Sequence, residues 1–341
     1  MKRKLLFTLA LVATACGMTS CSNDEVASSL SQGSTPIDTT HCLKFLTEGQ
    51  RLTRVSYILG HTAAGLGATP YWQPNDRIWL YVGDEERVGS IGSDITALTQ
   101  RAKFYFPPLQ NRSTYKVHYL GNATDGRYIT IGANQWQYPP DNTDHLASNG
   151  DCAEGLATQD ANNPDLYTVK FKRLPAYLCI MPYCSDEFVR TGAVLKGIRI
   201  YSDNPIRGKF DVARYGFTNG TDVANNIEMI LNGGNGFPLD NAAADRAKNA
   251  VYVVIGPSWH NLVIEINFTS PKFPGQELRA VRVIGNHEYK ANSMTDIIAD
   301  VANYYDADNN PIGAGGQIEL AKKHKAVEVK ENEDWDGTFN R

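Results

Sequence analysis

The chain of 341 residues lacks the local motifs by which most enzymes are recognised. Its seven histidines, at 41, 61, 118, 145, 260, 287 and 324, form neither His-x-x-x-His nor His-Glu-x-x-His, which removes the helical zinc-hydrolase pattern. There is no Gly-x-Ser-x-Gly turn and no phosphate loop, which removes the common hydrolase elbow and nucleotide cradle. No cysteines are spaced as Cys-x-x-Cys, so a zinc site joining thiols to His145 has little to stand on. Basic excess is also missing: 33 Lys and Arg face 37 Asp and Glu, a net charge of −4. Setting aside the first 20 residues, with Lys2, Arg3 and Lys4, makes it −7. Nucleic acid, which needs a basic face, is excluded as a partner. Asp306-Ala307-Asp308-Asn309-Asn310 imitates a calcium loop but puts Pro311 where the sharp turn needs Gly and Gln317 where a bidentate Glu belongs. A hairpin turn is expected there. Asp84-Glu85-Glu86 and Glu331-Asn332-Glu333-Asp334 read as solvated turns, although a carboxylate pair assembled by folding leaves no local signature. No catalytic residue, cofactor or metal is expected.

What is present begins at the N-terminus. Lys2-Arg3-Lys4 precedes an uncharged apolar run from Leu5 to Ala15. Eleven residues are too few for a spanning helix, which needs about 20. No later run approaches that length. The pattern is a secretory signal. Cys16 and Cys21 both follow small residues, and Cys21 is the preferred lipidation site because a polar, acidic stretch, Ser22-Asn23-Asp24-Glu25, begins directly after it. An ordinary cleaved signal with an incidental cysteine is the alternative. Residues 1–20 are thus a lipoprotein signal peptide and 21–40 a flexible tether, too polar to fold alone. The remaining thiols, Cys42, Cys152, Cys179 and Cys184, permit a disulfide without demanding one.

The body reads as strands. Tyr167, Val169 and Phe171 alternate with Thr168, Lys170 and Lys172, and Leu262, Ile264, Ile266 and Phe268 share one face. Further strands are expected at 43–46, 77–82, 103–106, 115–119, 176–181, 194–201 (with a bulge at Gly197), 251–255, 278–284 and 326–330. Met294, Ile297, Ile298 and Val301 recur at helical spacing behind Ser293, with Asp296 completing a capping box; a helix is expected there and a weaker one over 241–250. The polar stretch from Asp141 to Asp165 reads as a loop. The count favours a mostly β protein of two packed sandwiches, residues 41–163 and 164–341, with one or two short helices. Tyr71-Trp72 and Trp136-Gln137-Tyr138 lie beside turn residues. Trp72, Trp136 and Tyr138 are therefore either core or a platform for a glycan or partner.

Trp72-Gln73-Pro74-Asn75-Asp76-Arg77-Ile78-Trp79-Leu80-Tyr81 resembles the Trp, turn, Asp, Ile, aromatic-strand pattern of the fimbrillin family (Mfa-like, type V pilus subunits). Asn149-Gly150-Asp151-Cys152, followed by Val169 to Cys179, is similar to the same family, with Lys172-Arg173 where a His is commoner. The lipoprotein start is similar to that of outer-membrane lipoproteins of Gram-negative gut and oral anaerobes. The resemblance implies two tandem transthyretin-like β-sandwich domains, export to the cell surface, and a fimbrial or adhesive subunit that joins homo- or hetero-polymers by β-strand complementation. It also implies loss of an N-terminal strand to a protease cutting after Arg. Leu43-Lys44-Phe45-Leu46 is the candidate strand, Arg51 and Arg54 the candidate cleavage points, and Ala326–Lys330 with Trp335 and Phe339 the candidate donor. Ordinary edge strands and surface arginines are the equal alternative. The runner-up function is a monomeric outer-membrane lipoprotein binding host or bacterial surface glycans or proteins, and a secreted hydrolase comes third.

Overall fold

Alternation at a period of two dominates the chain, and the structure, a computed structural model describing residues 38–47, 71–121, 123–306, 308–310 and 327–332, answers it with strands. These residues belong to one compact unit, Asp38–Arg341. Cys21, Arg51, Arg54, Trp335 and Phe339 lie outside the described residues.

The strands begin with β1 (Leu43–Thr47), β2 (Ile78–Tyr81), β3 (Arg87–Gly89), β4 (Gly92–Ser93), β5 (Lys103–Phe106) and β6 (Thr114–Tyr119). Next are β7 (Tyr128–Ile131), β8 (Asn134–Gln137), β9 (Ala153–Gln159), β10 (Leu166–Arg173) and β11 (Ala176–Tyr183). After the helical turn α1 (Glu187–Arg190) come β12 (Val194–Ser202), β13 (Gly208–Asp211), β14 (Gly216–Phe217), β15 (Asn226–Leu231) and β16 (Phe237–Pro238). A second turn, α2 (Arg246–Asn249), leads to β17 (Val251–Ile255), β18 (Ser258–Thr269), β19 (Leu278–Tyr289), β20 (Met294–Asp300) and β21 (Val327–Asn332). The protein is mostly β.

An eight-stranded sheet runs β3-β2-β6-β9-β10-β1-β5-β4. Its end strands are consecutive pieces of one segment: Ser90 N donates to Ile78 O (2.9 Å) and Ile91 N to Tyr105 O (2.8 Å). The segment thus leaves β2 and joins β5 within two residues, linking the two ends of the sheet and sparing it exposed edges. Inside lies the first core, with Phe45, Trp72, Phe104, Phe106, Tyr115, Tyr119, Tyr167 and Phe171. Gly155 on β9 is required here, since a Cβ would stand 2.3 Å from the Lys170 carbonyl oxygen of β10.

A four-stranded sheet (β17-β11-β20-β21), a six-stranded one (β19-β18-β12-β15-β8, with β16 also paired to β12) and a three-stranded one (β14-β13-β7) enclose the second core. The chain passes from one core to the other at Leu174-Pro175, between β10 and β11. It also crosses earlier, because β7, β8 and a 3-10 turn at Asp144–Asn149 pack with the second core before β9 returns to the first.

Two expectations are corrected. Residues 294–300 form strand β20, not a helix. β20 lies between β11 and β21 and is buried on both faces, so no period of two marks it and the spacing of Met294, Ile297 and Ile298 matched a helix by accident. Asp296 caps nothing; it pairs with Arg246 inside the core at 3.0 Å. The stretch 141–165 is not a loop throughout, because its small residues Ala153 and Ala157 face the first core along β9. Of the expected 241–250 helix only the turn α2 forms, capped by Asp245, which accepts from Ala247 N. The bulge does fall between Leu195 and Gly197.

Candidate functional site

β1 occupies an internal position. It pairs in parallel with β10 and antiparallel with β5, Phe45 standing opposite Tyr167 and Phe104. Leu43, Phe45 and Thr47 point inward. Phe45 stacks on Tyr167 (4.7 Å, 7°) and meets Phe106 edge-on at 5.0 Å. Thr47 Oγ1 accepts from Trp72 Nε1 (3.0 Å) and Ala102 N (2.9 Å). Burying Phe45 alone contributes about 1.5–3 kcal/mol. Without β1, an aromatic groove and two rows of backbone donors and acceptors lie open.

β21 is held differently. It pairs with β20, Ile297 opposite Val329, at the end of its sheet. The opposite edge, β17, is sealed by side chains. Gln135 Nε2 donates to Val254 O (2.8 Å) while its Oε1 accepts from Val254 N (3.0 Å). Gln137 repeats the pattern on Ala250 O (2.7 Å) and Tyr252 N (2.9 Å). His145 Nε2 donates to Tyr252 O at 2.8 Å. Side-chain amides thus stand in for the strand that would otherwise pair there.

Of the three aromatics named from sequence, Trp72 is core and offers no face to a ligand: it is 1% exposed and packs edge-on against Phe104, Tyr119 and Phe171. Trp136 (43% exposed) and Tyr138 (61%) do face outward. Sequence reasoning missed four more: Phe188 (58%), Tyr215 (52%), Tyr201 (41%) on β12 and Trp259 (51%) on β18. The signal was available: Tyr201 is out of phase with the inward Ile198 and Ile200.

The ionisable groups are arranged for support. Ser202 Oγ lies 3.0 Å from His260 Nδ1, a nucleophile–base distance, but both residues are buried and His260 Nε2 is 3.1 Å from Gly256 O. That bond makes Nε2 the donor and Nδ1 an acceptor for the serine, with no carboxylate to orient the ring. At the junction of the cores, Asp151 accepts from Arg173 and Tyr177, all buried. Tyr215 reaches from the β13–β14 turn to Glu154 on β9 (2.6 Å) and accepts from Lys116 (2.8 Å). Burial pushes the Glu154 carboxyl up, but His118, Tyr215 and Lys116 outweigh it and hold it at about 2. The four described cysteines are buried free thiols, and burial raises Cys184 to about 11. Among the described residues no group of three or more His, Cys, Asp or Glu side chains is placed to hold a metal ion.

No protein-family profile matches the chain, and no curated protein does. Among solved structures it is similar to a Bacteroides uniformis protein assigned provisionally to cell adhesion, with a TM-score of 0.46 and 14% identity over 88% of this chain and 100% of that one. It is also similar to a fimbrial protein from Bacteroides vulgatus (TM-score 0.29, 9% identity, 80% and 92% covered). The fimbrial anchor protein Mfa2 from Porphyromonas gingivalis gives 0.29, 9%, and 80% and 99%. With TM-scores under 0.5 and identities this low, what the chain does is read from its own residues.

Proposed function

We propose that the protein is an exported outer-membrane lipoprotein, anchored through Cys21, that serves at the cell surface as a non-enzymatic fimbrial or adhesive subunit. Its two cores correspond to two β-sandwich modules. Other subunits join it by β-strand complementation, with β1 as the strand given up after cleavage at Arg51 or Arg54. The observation that carries this reading is the setting of β1: internal, hydrogen-bonded on both sides, and inserted into an aromatic groove. Removing an edge strand leaves a protein nearly intact, whereas removing an internal one leaves a slot that only another strand fills. β21, paired on its β20 side at the end of a sheet, suits the donor role.

The test is N-terminal sequencing and intact mass of the protein from its native cells, with denaturant-resistant ladders followed on gels. Forms starting after Arg51 or Arg54, and ladders lost in the R51A/R54A double variant, are expected. Finding solely an intact acylated Cys21 start, with no ladder, ends the strand-exchange reading.

A further inference from the structure

The outward face of the six-stranded sheet is ordered in rows. Across the strands the registers align Arg279, Asn267, Gly197, Ile230 and Trp136 in one row, Val281, Glu265, Arg199, Glu228 and Asn134 in the next outward row, and Val283, Val263, Tyr201 and Asn226 in the third. Beyond them Asp203 accepts from Asn261 through N (2.9 Å) and Nδ2 (2.5 Å), and Trp259 then stands opposite Glu288. Exposed rings therefore recur on every second row: Trp136, Tyr201, Trp259. Gly197 to Tyr201 is four residues on β12, and Trp259 to Val263 is four on β18. Each interval is about 13 Å at ~3.3 Å per residue.

Between the rings the surface is polar, and between Trp136 and Tyr201 its charges are paired. Arg199 bonds Glu228 at 3.2 Å and Arg279 bonds Glu265 at 3.2 Å. The charges from the Trp136 row to the Tyr201 row are paired, and Asp203 and Glu288 beyond them add only negative charge, which repels a nucleic acid or an anionic polymer. The pairs also interrupt the apolar surface, so it falls short of the contiguous apolar centre that a protein interface of about 800 Å² per partner requires. A periodic, uncharged ligand with flat C–H faces and hydroxyl edges matches both features. Its rings stack on the aromatics and its hydroxyls meet the amides and carboxylates between them.

We propose that this face binds an extended chain of a neutral polysaccharide, with Tyr201 and Trp259 as its main stacking platforms and Trp136 as a third. The site is independent of strand exchange, since it uses neither β1 nor β21. The test is native affinity electrophoresis of the purified protein through gels holding dextran, mannan, xylan or amylose, with alginate as the charged control. At least one neutral polymer should retard it, equally with and without half-molar sodium chloride. Y201A and W259A should each weaken the retardation about tenfold, the loss of one aromatic stack, with unchanged thermal midpoints because both side chains point to solvent; W259Y should restore most of it. No retardation by any neutral polymer overturns the proposal, as does retardation that both alanine variants retain or that alginate alone gives and salt abolishes. Sedimentation showing self-association that Y201A or W259A abolishes also overturns it, because the occupant is then a second copy of the chain.

Discussion

Replacing Gln137 with Leu tests whether the seal on β17 is structural. The side chain is 1% exposed and satisfies two backbone groups at once, Ala250 O and Tyr252 N. Leucine conserves the approximate bulk and removes both partners. Each backbone group left buried and unpaired costs about 1–3 kcal/mol, so the variant should lose about 2–6 kcal/mol. That is a large part of the 5–15 kcal/mol that typically separates folded from unfolded chains. W136A, one residue away but pointing outward, should lose less than about 1 kcal/mol. Equilibrium urea unfolding of wild type and both variants, followed by tryptophan fluorescence and circular dichroism, measures the difference. Hydrogen exchange at the Tyr252 amide should accelerate in Q137L specifically. If Q137L stays within about 0.5 kcal/mol of wild type, or costs no more than W136A, the amides are not standing in for a strand and the reasoning fails.

Acid should destabilise the protein partly through His145, which burial depresses to about 4 from 6.5. The unfolded chain then binds the extra proton between those values, so the contribution is whole above pH 6.5 and is lost as pH falls toward 4, about 3 kcal/mol in all. H145Q, which keeps a donor for Tyr252 O, should lose that much less stability in urea titrations across the interval. W72A should cost about 3–5 kcal/mol in the same assay, because it empties the first core and removes a donor from Thr47; a loss below about 1 kcal/mol contradicts its placement as core. Burial pushes the thiols of Cys152, Cys179 and Cys184 upward, which keeps them protonated and unreactive. Iodoacetamide at pH 8 should leave them unlabelled in the native protein and label them in urea, as read by mass spectrometry.

The strands that alternate strictly, such as β10 with Tyr167, Val169 and Phe171 inward, were legible because a half-buried surface imposes period two on the sequence itself. β20 was not, since burial on both faces erases that period. β9 was hidden because its buried residues are two alanines, with Gly155 between them, small enough to look like loop. Neither the Gln135 and Gln137 ladder nor the Asp151 cluster announces itself locally; the former joins residues 113 to 119 positions apart, a pairing that only the fold creates. Among the surface rings, Trp136 and Tyr138 stood out beside turn residues. Trp259 follows Gly256-Pro257-Ser258 and is out of phase with the inward His260 and Leu262, so its signal was as plain as theirs.

The last passage between the cores spans two residues, one of them a proline with a fixed φ. Arg173 before it and Tyr177 after it are tied to the same carboxylate. Linked modules ordinarily swing relative to each other; here slack is absent. Force applied to the residues of one core therefore passes to the other through a short link pinned on both sides.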